Sequence, residues 1–242
     1  MTAEHIVKSF DDELKLLNRT IAQMGGLSEV QLQTATDALM RRDAELAGKV
    51  IQADKRIDEL EQQIVEMAVR MLALRQPMAS DLREVVAALK ISADLERIGD
   101  YATNIAKRAI AISQAQPVST VQAIPRMGQL VQSIIKDVLD AYVDKNAERA
   151  VAAWTRDEEV DSLYNSLFRE LLTYMMEDPR NIGSCIHLMF IAKNIERIGD
   201  HATNIAETVY FLVHGHGIEI ARPKGDVTSY AIAPTPGGRA GV

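Results

Sequence analysis

Glu96 and Asp100 stand four residues apart in the string ERIGD, and Glu196 and Asp200 repeat them in a second copy of the same string. On a helix this spacing brings both carboxylates of a pair to one face. A further acidic set precedes each copy: Asp54, Asp58 and Glu61 before the first, Asp157 and Asp161 before the second. Hard oxygen donors without paired histidines or cysteines favour magnesium, calcium, manganese or iron over zinc. The candidate metal ligands are therefore Asp54, Asp58, Glu96, Asp100, Asp157, Asp161, Glu196 and Asp200. Two acidic stripes on neighbouring helices repel each other unless a cation, arginine or lysine lies between them. The competing reading is a polar face paired with Arg56, Arg97, Arg156 or Arg197, which is the ordinary fate of an isolated ExxxD. Retention of the pattern in two copies leaves a metal site and a buried polar network as the two alternatives.

Other residues within the copies carry less. Gly99 and Gly199 sit in helix interiors, where glycine costs about 1 kcal/mol relative to alanine, so a close helix approach is expected there. Thr103 and Thr203 are expected to bond back to helix carbonyls. Asn104 and Asn204 continue the acidic line. His201 stands where the first copy has Tyr101, which places it outside any shared site and assigns it to surface or packing. His187 reads as an isolated core or surface histidine, and His214 and His216 as part of a tail. Cys185, the only cysteine, is expected to be a small buried residue, and a single cysteine forms no intrachain disulfide or cysteine-based zinc cluster. Trp154 is expected to pack near a helix seam. No GxxxxGK[ST], GxSxG or HExxH occurs, nor the Glu-x-x-His pairs of a di-iron bundle, so a non-enzymatic protein is expected.

Long helices must position these groups. Val50, Ala53, Ile57, Leu60, Ile64, Met67, Met71 and Leu74 recur at steps of three and four, as do Ile91 to Ile112 and Leu188 to Leu212. Gln76-Pro77, Gln116-Pro117 and Asp178-Pro179 break the pattern. The spacing predicts six helices, at about 4–42, 44–75, 79–113, 119–143, 147–177 and 181–213. Gly25-Gly26 marks a candidate break in the first, at a cost of about 2 kcal/mol of helix propensity. Residues 94–106 and 194–206 match at ten of thirteen positions at an offset of 100. Upstream the offset becomes 103, aligning Asp43 with Asn146, Asp54 with Asp157 and Asp58 with Asp161. The repeat spans three helices, so the fold class expected is all-α: two pseudo-symmetric three-helix bundles packed side by side. The units run over residues 1–115 and 116–213, with 214–242 read as a mobile tail.

A net charge of −7 and a pI near 5.3 speak against nucleic acid as a partner. The acidic N-terminus is unlike a signal peptide, and no stretch has the roughly 20 apolar residues of a membrane span. A cytoplasmic protein without direct membrane insertion is expected.

ERIGD followed by Ala-Thr-Asn-Ile, in two copies, with RQPMASDLR before the first and TYMMEDPR before the second, closely resembles the PhoU family of bacterial phosphate-uptake regulators. The resemblance runs over roughly residues 5 to 213. It implies a protein, commonly a homodimer, that links the ATPase of the high-affinity phosphate transporter to a sensor histidine kinase. Such a protein represses the phosphate-starvation response and restrains uptake. Some members carry metal clusters on an E(D)xxxD motif, here Glu96 with Asp100 and Glu196 with Asp200. Asp54, Asp58, Asp157 and Asp161 match the acidic face of the preceding helix. Magnesium, manganese or iron is the implied ion, and Asn104 and Asn204 stand where a stronger ligand could sit. The rival readings are a metal-storage or metal-dependent helical bundle and a purely structural scaffold.

Overall fold

The computed structural model describes residues 3–115 and 123–219. The first half holds α1 (Ala3–Arg41), α2 (Ala44–Arg75) and α3 (Ser80–Ile112). The second holds α4 (Ala123–Val143), α5 (Ala147–Thr155), α6 (Asp157–Glu177), a 3-10 turn (Pro179–Asn181) and α7 (Ile182–His214). No strand occurs among the described residues, and the all-α class and its two-bundle layout are as expected. The Gln116-Pro117 break, residues 119–122 and most of the expected tail, 220–242, lie outside the described residues.

The helix expected over 147–177 is two helices. The Arg156 N–H bonds Ala153 O at 3.2 Å and the Glu159 N–H bonds Arg156 O at 3.1 Å, tightening the chain to i→i+3 pairing for one turn. Two forces hold the break. The Arg156 guanidinium is drawn onto α4, to Asp137 Oδ2 at 3.0 Å and Ser133 Oγ at 2.7 Å. The new helix then opens with Asp157, Glu158 and Glu159, carboxylates that favour a helix N-terminus.

Gly25-Gly26 does not divide α1. A Cβ on Gly25 would stand 2.6 Å from Leu139 Cδ2 of α4, so close helix approach offsets the lost propensity, whereas a Cβ on Gly26 would meet nothing within 4 Å. The contact has a twin. Gly128, 103 residues beyond Gly25, faces Thr36 Oγ1 at 3.2 Å, and Thr36 is the counterpart of Leu139. α1 and α4 therefore cross reciprocally, each glycine receiving the same side-chain position of the other helix.

The turns after α1 and α4 repeat each other with equal fidelity. Arg42 and Lys145 both adopt positive φ, at 56° and 50°. The N–H groups of Asp43 and Asn146 close back on Ala38 O and Ala141 O at 2.9 and 2.8 Å, the long bond of a Schellman turn. Asp43 and Asn146 then cap the next helices, accepting from Leu46 N at 2.9 Å and Arg149 N at 3.0 Å. Their long side chains diverge. Arg42 donates to the carbonyls of Ile112, Ser113 and Ala115, closing the C-terminus of α3. Lys145 instead reaches Glu84 Oε2 of α3 at 2.8 Å, across the boundary between halves. Buried Glu84 also accepts from Asn18 Nδ2 at 2.8 Å, and Asn18 Oδ1 accepts from the Tyr142 hydroxyl at 2.6 Å. Burial, and then the charge of Glu84, push the Tyr142 phenol up.

Among the described residues α3 and α7 form the most extensive helix pair, and one continuous hydrophobic core runs through both halves. The two helices are antiparallel: Lys90 lies over the Phe211 ring, Arg197 over Tyr101 and Arg108 over Phe190.

Candidate acidic sites and the seam between the halves

α2 and α3 bring the first acidic set together. Burial raises the Asp58 carboxyl above its ordinary value, and Asp54, Asp100 and Glu59 add to the rise. Burial also raises Glu96, helped by Asp100 and by Asp58 and Glu61, while Arg97 opposes it. Carboxylates of the two helices therefore act on one another, as two facing stripes must. Arg97 supplies the expected cation, its Nη1 3.1 Å from Asp100 Oδ2 and its Nε 3.4 Å from Glu96 Oε2. Arg56 turns instead to Glu59, Arg156 to Asp137 and Arg197 to the Tyr101 ring.

The second set is more deeply placed. Asp157, Asp161 and Glu196 are 2 %, 4 % and 5 % exposed, with Lys193 Nζ at 2.8 Å from Glu196 Oε1 and 5.0 Å from the Tyr164 ring centroid. Asp54, Asp58, Glu96 and Asp100 all remain in reach of solvent, as does Asp200. Two sets related by sequence are thus one open and one enclosed.

The motif glycines show the same inequality. A Cβ on Gly99 would stand 3.0 Å from Ile57 Cδ1, 3.2 Å from Asp54 Oδ1 and 3.3 Å from Gln31 Oε1. On Gly199 the nearest atoms, of Val160, Asp157 and Val131, stand at 3.5 to 3.6 Å, ordinary contact. The close approach expected of both is required only by the first. Gln31, on α1, is the residue that motif-reading missed. Its Nε2 lies 3.0 Å from Asp54 Oδ1, 3.0 Å from Thr103 Oγ1 and 3.3 Å from Val50 O. Thr203 bonds back to Asp200 O at 2.7 Å as expected, but Thr103 accepts from Gln31. The signal was present in the pairing of α1 with α4, since position 134 is isoleucine where α1 carries Gln31.

His201 is more than packing. Its Nδ1 lies 2.8 Å from Asp94 Oδ1, Asn204 Nδ2 lies 3.3 Å from the same oxygen, and its ring faces Tyr101 at 5.7 Å between centroids. Tyr101 and His201 are equivalent positions of the two copies, so the pseudo-two-fold axis passes between them. Cys185 is buried as expected, and Trp154 packs with its Nε1 donating to Glu207 Oε1 at 3.0 Å.

No three His, Cys, Asp or Glu side chains among the described residues converge as a metal ion requires. The donor chemistry nevertheless fits a hard cation. The carboxylates of α2 and α3 raise one another, and Gln31 Oε1, beside Asp54 at Gly99, is buried without a hydrogen-bond donor among the described residues. A bound ion would supply positive charge between Asp54, Asp58, Glu96 and Asp100, in competition with Arg97.

These features define a class: an all-helical protein of two fused, pseudo-symmetric bundles with an acidic pair on the last long helix of each. The PhoU domain model matches residues 21–109 and 124–209. The chain belongs to the PhoU family. It is 54% identical over 227 residues to the phosphate-specific transport system accessory protein PhoU homolog of Caulobacter vibrioides strain NA1000, covering 93% of this chain and 99% of that protein. The homolog from Rhizobium meliloti is 51% identical over 230 residues, covering 95% and 97%. The crystal structure of PhoU from Pseudomonas aeruginosa superposes with a TM-score of 0.83 at 41% identity, over 86% of this chain and 100% of that one. No helix among the described residues is long and apolar enough to cross a membrane.

Proposed function

We propose that the protein is a cytoplasmic, non-enzymatic accessory factor of a phosphate-specific transport system. It restrains high-affinity phosphate uptake and represses the phosphate-starvation response, as an adaptor between the transporter ATPase and a sensor histidine kinase. The observation that carries this reading is relatedness over nearly the whole chain to accessory proteins of phosphate transport. A double bundle with one shared core suits the role, because it offers broad helical faces to two partners. Deleting the gene in its host is expected to derepress starvation genes at high phosphate, read by a transcriptional reporter, and tagged protein is expected to co-purify with the ATPase and the kinase. Normal repression in the deletion strain would refute the reading.

The acidic sets form its second part: magnesium, manganese or iron held by Asp54, Asp58, Glu96 and Asp100, and by Asp157, Asp161, Glu196 and Asp200. The raised carboxyls of Asp58 and Glu96 support it: burial is the first cause, and neighbouring carboxylates, Asp54 and Asp100 for Asp58 and Asp100 and Asp58 for Glu96, add a repulsion that a cation relieves. Elemental analysis of tag-free protein is expected to find metal that is lost on replacing Glu96, Asp100, Glu196 and Asp200 together by alanine in a variant that remains folded. Absence of metal from the wild type would leave the acids as packing or partner-contact groups.

A further inference from the structure

Gln31 is 4 % exposed, and its amide is oriented by what surrounds it. The Asp54 carboxylate accepts from the amide, so nitrogen faces Asp54. Oxygen is thereby turned toward the surface of Gly99, where Gln31 Oε1 and Asp54 Oδ1 border the same point at 3.3 and 3.2 Å. Among the described residues that oxygen has no hydrogen-bond donor, although an unsatisfied buried carbonyl costs on the order of 1–3 kcal/mol. The acid it borders is Asp54 of α2, at the surface of Gly99, the glycine between Glu96 and Asp100 of α3. Glycine at position 99 keeps the space open, since any side chain there would crowd both oxygens. The equivalent position of the second half carries no such group: Ile134 stands there, fully buried, and Val131 faces Gly199.

We propose that Gln31 makes the two acidic sites unequal, supplying a neutral amide oxygen that makes the α2–α3 site the tighter one for a hard divalent cation. The proposal rests on the metal-binding reading above. The amide adds a hard oxygen without adding charge. It also comes from α1, so a cation held by Gln31, Asp54 and the motif acids would tie all three helices of the first half together. The α6–α7 site, walled by isoleucine and valine and with Lys193 on Glu196, would take the ion more weakly.

The test is a manganese(II) titration of the full chain followed by the electron paramagnetic resonance signal of the free ion, with helicity checked by circular dichroism. Three proteins are compared: wild type, Gln31→Met, which keeps volume without an oxygen, and Gln31→Glu, which keeps an oxygen but has no N–H for Asp54. Wild type is expected to show one tight and one weaker site. Gln31→Met should weaken the tight site by about ten- to a hundredfold. Gln31→Glu should hold manganese at least as tightly as wild type. Wild-type affinity in Gln31→Met overturns the proposal. So does an equal loss in both variants, which would make Gln31 only a hydrogen-bond donor to Asp54. A wild-type chain that takes up no manganese defeats the metal-binding reading itself, and this proposal with it.

Discussion

Asp94 and His201 meet 2.8 Å apart across the pseudo-two-fold axis, although the equivalent residues of the other copies are Asn194 and Tyr101. Two of the three mismatches between the motif copies are therefore not drift at unconstrained positions. They sit at the seam and give it a polar pair that exists once.

That pair should be measurable as a coupling. Asp94→Ala and His201→Ala are each expected to destabilise the fold by about 1 kcal/mol. The double variant should fall short of their sum by about 0.5 kcal/mol or more in urea unfolding at neutral pH. Strict additivity would mean that the two side chains stabilise the seam independently.

The motif glycines should respond oppositely to the same substitution. Gly99→Ala pushes a methyl against Ile57, Asp54 and Gln31 and is expected to cost about 1–3 kcal/mol. Gly199→Ala enters ordinary contact and should be neutral or stabilising by up to about 1 kcal/mol, as should Gly26→Ala on the open face of α1. Thermal melts of the three variants decide it, and equal losses at 99 and 199 would contradict the difference in clearance at the two glycines.

The acidic face should penalise folding at neutral pH. Asp58 and Glu96 are raised above ordinary values of 3.8 and 4.5 by burial first and by neighbouring carboxylates second. Between the ordinary and the raised value the folded chain keeps a proton that the unfolded chain has lost. Stability therefore falls as pH rises through that window, and the penalty is complete above it. Asp58→Asn should raise the Tm at pH 7, and the gain should disappear below about pH 3. A gain that persists in acid would point to packing rather than charge.

Arg42 is expected to be worth more as a cap than it costs as a strained residue. Arg42→Ala loses the donors to the end of α3 and keeps the positive φ, whereas Arg42→Gly loses the donors but relieves the backbone. Both should unfold at lower urea than wild type, alanine lower than glycine by about 1 kcal/mol. A glycine variant more stable than wild type would reverse the ranking of cap over strain.

Much of this architecture was legible beforehand, for physical reasons. Seams such as Ile57–Leu60–Ile64 announce helices because burial on one face imposes a period, and the breaks at Gln76-Pro77 and Asp178-Pro179 follow from the missing N–H. The acidic pairs were visible because four residues make about one turn. The split at Arg156 was not, because it depends on Asp137 and Ser133, which lie on another helix. Gly25 looked like a breaker because Leu139, the side chain that needs the space, lies more than a hundred residues away. Gln31 and His201 escaped for a related reason: a motif scan searches for what two copies share, and these residues matter through what the copies do not share.

The reciprocal seating of Gly25 on Leu139 and Gly128 on Thr36 has a consequence for how such a chain can change. In a true pair of identical subunits every substitution appears twice, so a contact at the axis can only be met by its own mirror image. Joining both halves in one polypeptide lifts that restriction. One acidic pocket can close while the other stays open, and an acid can meet a histidine at the centre of symmetry with no second such pair required. Covalent fusion is what permits the two ends of this protein to differ in burial and in side-chain contacts.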